Sequence, residues 1–148
     1  MNAKEYLSQA RRLDQRINAK LDYVSRLRAM TQKVTASYDS EPVSHTRNVA
    51  SMQDAIIRLM DEEEELNAAI DSLVHMKREI NSVLKKIDDP DGQLLLELRY
   101  LCCRSWEEIA EIMHMSIRTA YRLHRSALRK TDEVLHRENF GGSPNDVS

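Results

Sequence analysis

At 148 residues the chain has room for one ordinary domain or for a small domain plus an extended element, and its 41% hydrophobic and 31% charged residues, with only three Gly and three Pro, suit long helices rather than a sheet. With one Phe, one Trp and five Tyr, a large compact core is not expected. No apolar run approaches the roughly 20 residues of a membrane span, no apolar signal segment opens the chain, and the two adjacent cysteines make no disulfide framework, so a soluble protein of a reducing cytoplasm is expected.

The net charge of −2 is unevenly spread, at +5 over residues 1–34, −7 over 35–91 and +1 over 92–138. From about Lys4 to Val34, Tyr6, Ala10, Leu13, Ile17, Val24, Leu27 and Val34 follow a heptad-like rhythm that predicts a helix. Leu7, Leu21 and Met30 widen the stripe and Lys20 interrupts it. Residues 35–48, with Ser, Thr, Asp, Asn and Pro together, read as a loop.

The next block, about Val49 to Ile87, is stricter. Met52, Leu59, Leu66, Leu73, Ile80 and Ile87 stand seven apart, with Ile56, Ile70 and Leu84 in the other half of the seam and Glu63 and Lys77 breaking it. Such a pattern predicts a helix with a coiled-coil partner. That partner is either the first helix, folded back as a hairpin with opposite charges facing, or a second copy of the chain in a homodimer. The acidic run 61–65 reads as a solvated face, or as a contact for a basic protein. Asp88-Asp89-Pro90-Asp91-Gly92 reads as a stop, because Pro cannot continue a helix and Gly accepts a left-handed turn. The domain boundary falls there, giving a helical region 1–88, a small domain 92–138 and a disordered tail 139–148.

Within 92–138 three short helices are predicted. The first, about Gln93 to Cys102, is rich in leucine. Ser105 opens the second as the start of a Ser-x-x-Glu capping box with Glu108, and Trp106, Ile109, Ala110 and Met113 form its buried face. His114 holds the turn position that needs positive φ, and Ser116 opens the third helix, 116–130, whose inner face is Ala120, Leu123 and Ala127. A steep helix pair joined by so short a turn, with small Ala110 where the helices touch, is the pattern of a helix-turn-helix. On the opposite face Arg118, Arg122, Arg125 and Arg129 recur at spacings of four, three and four. Guanidinium groups suit guanine edges in the major groove. Arg118, Thr119, Tyr121, Arg122 and Arg125 are therefore the candidate base-reading residues, with Arg129 and Lys130 placed for phosphates.

Leu98-Arg99-Tyr100-Leu101, then Ser105 to Met113, then Met115-Ser116, resembles region 4 of the sigma-70 family. The continuation Arg118-Thr119-Ala120-Tyr121-Arg122-Leu123-His124 is closer to phage-encoded late regulators of the RinA type. The resemblance covers residues 92–131, and residues 1–88 only in architecture. It implies a phage or prophage transcription regulator in a bacterial cytoplasm, binding double-stranded DNA and contacting RNA polymerase core or a sigma factor. The alternative it leaves is a sigma-like adaptor that grips polymerase with little DNA specificity.

No glycine-rich phosphate loop, nucleophile elbow or metal-spaced acid cluster is present, so neither an enzyme nor a cofactor is expected. Cys102 and Cys103 do not offer the spaced ligands of a zinc site; Cys102 is expected in the core and Cys103 partly exposed.

Overall fold

A computed structural model describes the backbone of residues 1–40 and 45–141, and side chains over 1–33 and 49–139. The chain is all-α: α1 (Ala3–Ser40), α2 (His45–Leu84), α3 (Pro90–Leu96) followed by one π-helical turn (Glu97–Leu101), α4 (Trp106–Ile112) and α5 (Ile117–Gly141), with no strand among the described residues. The expected 35–48 loop is thus helical over 35–40 and 45–48, while 41–44 lie outside the described residues. Residues 139–141, placed in the tail by sequence, continue α5, and 142–148 also lie outside the described residues.

By contacts the chain divides into two compact units, Gln15–Ser72 and Met1–Asp14 with Leu73–Ser148. The 88–92 boundary read from the sequence falls inside the second.

In the Gln15–Ser72 unit, Ile17, Val24 and Leu27 of α1 and Leu66 of α2 are buried. Val24 and Leu66 line a common crevice with Arg28 and Glu63. Ion pairs of Lys20 with Glu62 and Glu65, and of Arg28 with Glu63, join the two helices. The acidic run is therefore not wholly a solvated face. Leu21 and Met30, expected to widen the apolar stripe, are instead exposed, as are Ile56, Ile57 and Met60.

The second unit is built around the small-residue side of α5. Asn2 starts α1 with a capping box that the sequence reading missed: the Glu5 N–H donates to Asn2 Oδ1 at 2.9 Å and the Asn2 N–H to Glu5 Oε2 at 3.3 Å. The Ala3 N–H donates to Asp132 Oδ1 at 2.6 Å, which ties the start of α1 to α5. Ala3, Leu7 and Ala10, at i, i+4 and i+7, form the buried face here, so Leu7 occupies the position expected of half-buried Tyr6. From α2, Leu73, Ile80, Val83 and Leu84 join them.

Helix α2 ends at Leu84, three residues before the expected Ile87, and the segment read as a stop also starts α3, at Pro90 rather than about Gln93. Asp89 is its N-cap, accepting from the Gly92 N–H at 3.2 Å, and Pro90 takes a first-turn position where its missing N–H costs nothing. Gly92 does not have positive φ. A Cβ there would lie 2.5 Å from the Asp89 carboxylate and 3.1 Å from Ala127 Cβ, so the glycine serves close packing of α3 on α5.

Candidate nucleic-acid interface

The α4–α5 connection is set by local hydrogen bonds. At the start of α4 the Glu108 N–H donates to Ser105 Oγ and the hydroxyl returns to Glu108 Oε1, both at 3.2 Å. Arg104 donates to the other carboxylate oxygen at 3.0 Å, and it contributes most to holding Glu108 below the usual carboxylate range. At the end of α4 the Met115 N–H reaches back to the Ala110 carbonyl at 2.9 Å and the His114 N–H to that of Glu111 at 3.3 Å. This is the Schellman closure, and it requires the left-handed conformation that His114 adopts, φ 54°. Ser116 then caps α5, accepting from the Thr119 N–H at 3.1 Å.

One side of α5 is buried at Ala120, His124, Ala127, Thr131 and Val134, a four-three-four-three spacing. At about 100° per residue, Arg118, Arg122, Arg125 and Arg129 lie on the opposite side. All four are exposed, and none takes part in an ion pair among the described residues.

The other three candidates are placed differently. The Thr119 hydroxyl accepts from Ser116 Oγ at 2.8 Å and belongs to the α5 cap. Tyr121 packs edge-on against Trp106 with centroids 4.8 Å apart, although 45% of it remains exposed. Lys130 is half-buried on the flank, donating to Asp89 at 3.2 Å, so it serves the α3 cap rather than the arginine row.

A second basic group, which the sequence reading did not identify, gathers beside the first turns of α5. Trp106, expected in the core, is only half-buried, and Arg99 lies over its ring at 4.7 Å. His124 meets the ring edge-on at 4.8 Å and shares a 2.8 Å hydrogen bond with the Tyr100 hydroxyl. These rings, with Lys4, Ser8 and Arg11 of α1, line a cavity of about 260 Å³. Burial, then the Arg11 charge, lowers the Arg99 pKa; burial, then Arg99 and Lys4, brings His124 down to about 4. Lys4, Ser8 and Arg11 do stand at i, i+4 and i+7, but nothing local shows that this stripe meets Arg99.

Of the two cysteines, Cys102 departs from its expected place in the core, whereas Cys103 is partly exposed as expected. Cys102 is exposed, while Cys103 is half-buried with φ 56°, and burial, then a hydrogen bond to Asp14, raises its thiol pKa. Among the described residues no group of three His, Cys, Asp or Glu could hold a metal, and no helix is long and apolar enough to cross a membrane.

A model for a protein family of unknown function, DUF1492, matches residues 35–132, two thirds of the chain. The chain belongs to the DUF1492 family. The DUF1492 match takes in α2, α3, α4 and the arginine row of α5, whereas Lys4 and Arg11 lie ahead of it. No curated protein and no solved structure matches the chain.

Proposed function

We propose that this protein is a sequence-specific DNA-binding transcription regulator of phage or prophage type, in which α4, its turn and α5 act as a helix-turn-helix. The observation that carries this reading is the row Arg118, Arg122, Arg125 and Arg129: exposed, without carboxylate partners among the described residues, and opposite the buried side of α5. A guanidinium row on a rigid helix suits the major groove, where bidentate contact to guanine discriminates by about 1–3 kcal/mol. The Schellman turn and the Ser116 cap fix where the row begins. The sigma-70 region 4 resemblance adds a contact with RNA polymerase core or a sigma factor, in a bacterial cytoplasm.

Selection of bound sequences from random duplex DNA tests the proposal. An enriched motif is expected for the parent, and Arg118→Ala or Arg122→Ala should erase the preference. Arg129→Ala should weaken all duplexes alike and lower the salt slope by about 0.9. Capture of polymerase from nuclease-treated extract with no enriched motif would instead support an adaptor.

A further inference from the structure

We propose that Lys4, Arg11 and Arg99, gathered against the rings of Trp106, Tyr121 and His124, form a second DNA contact that takes a backbone phosphate of the duplex held by α5. This rests on the regulator reading and extends the interface to α1.

Three positive charges converge on one cavity of about 260 Å³, and no acidic residue lines it. None of the three has an ion-pair partner among the described residues, whereas Lys77, Lys86 and Lys130 of the same unit each meet a carboxylate. The fold thus gathers like charges here without an internal counter-ion. Burial first, and after it repulsion from the neighbouring positive charges, disfavours the protonated forms of Arg99 and His124. An external anion relieves that repulsion.

Two of the cations are already oriented. Arg11 Nη1 donates to the Arg99 carbonyl at 3.4 Å and to that of Arg104 at 3.5 Å. Arg99 lies over Trp106 and donates to the Arg104 carbonyl at 3.1 Å. Each guanidinium has five N–H groups, so both keep donors for an anion, and little side-chain freedom remains to be lost on binding. The cavity volume is many times the roughly 30 Å³ share of one water, enough for a phosphate and its nearest waters.

Position favours the DNA backbone as the source of that phosphate. Tyr121 lines the cavity and also stands three residues after Arg118 and four before Arg125, so the cavity adjoins the arginine row. Phosphate contacts beside a recognition helix fix its register without reading sequence.

The test uses the full chain with the selected duplex and with scrambled duplexes. Trp106, the only tryptophan, reports occupancy by its fluorescence. Lys4→Gln is the deciding variant because Lys4 is exposed; Arg99→Gln accompanies it, with helicity and thermal unfolding measured for both. Each variant should weaken binding to every duplex by the same factor, lower the salt slope by about 0.9, and leave motif preference intact. Lys4→Arg should restore the slope.

An unchanged slope in Lys4→Gln, with Arg122→Ala still losing the motif, removes the phosphate contact and leaves the regulator standing. No duplex binding by the parent at low salt removes both. A saturable Trp106 response to inorganic phosphate at constant ionic strength, not competed by duplex, assigns the cavity to a free phosphorylated ligand and overturns the DNA assignment.

Discussion

His124 is 8% exposed, between the Tyr100 hydroxyl and the edge of Trp106, and its pKa is brought down to about 4, mainly by burial. In the unfolded chain an ordinary histidine titrates near 6.5. Below that value the unfolded state binds a proton that the folded state refuses until about pH 4. The stabilising effect of a neutral His124 is therefore complete above 6.5 and is lost as pH falls, by about 2 kcal/mol at pH 5. Thermal unfolding followed from pH 7 to pH 4.5 should show this decline, and His124→Gln should flatten it; equal slopes in both proteins would remove His124 as its source. Other single residues were legible to different degrees. Ser105 with Glu108 and the positive φ of His114 follow from rules about neighbours in the chain. Lys20, Glu63 and Lys77 read only as interruptions of a heptad, yet each takes part in an ion pair, with Glu62, Arg28 and Asp14 respectively.

At the scale of elements, α5 is the part most fully written in the sequence. Its arginine row and the inner residues Ala120 and Ala127 follow from one helical period, whereas Leu123, expected inside, is only half-buried, His124 is buried beside it, and the helix runs on past 130 to Gly141. Helix α3 starts three residues earlier than expected, because Asp-Asp-Pro-Asp-Gly carries both a stop and a start. Asp and Pro favour an N-terminus as strongly as Pro and Gly favour an end. Asp89 and Pro90 supply the local cap of that start, and the close approach of Gly92 to Ala127 adds a tertiary contact that no local rule contains. Gly92→Ala should raise helix propensity by up to about 1 kcal/mol yet force Cβ against the Asp89 carboxylate and Ala127. We expect a net loss of about 1–2 kcal/mol in denaturant unfolding, as usual for an overpacked site. A variant as stable as the parent would show that α3 shifts freely on α5.

For the whole molecule, the α2 heptad is only partly covered: Leu66, Leu73 and Ile80 are buried, Met52 and Leu59 half-buried and Ile56 exposed, and Ile57 and Met60, beside the heptad, are exposed as well. Uncovered apolar surface of this kind supports the homodimer reading. Sedimentation equilibrium should give a dimer for the parent and a monomer of unchanged helicity for Ile57→Glu combined with Met60→Glu; a monomeric parent would remove the dimer. By itself the sequence determined the all-α class, the capped starts of α4 and α5 and the arginine row. These depend on near neighbours and on a period of 3.6 residues, which any stretch of chain expresses alone. Only tertiary structure decided that Met1–Asp14 packs into the C-terminal unit, that Lys130 serves α3, and that Lys4 and Arg11 meet Arg99. Arg11 and Arg99 are 88 residues apart, and side-chain packing in three dimensions, not periodicity, brings such positions together.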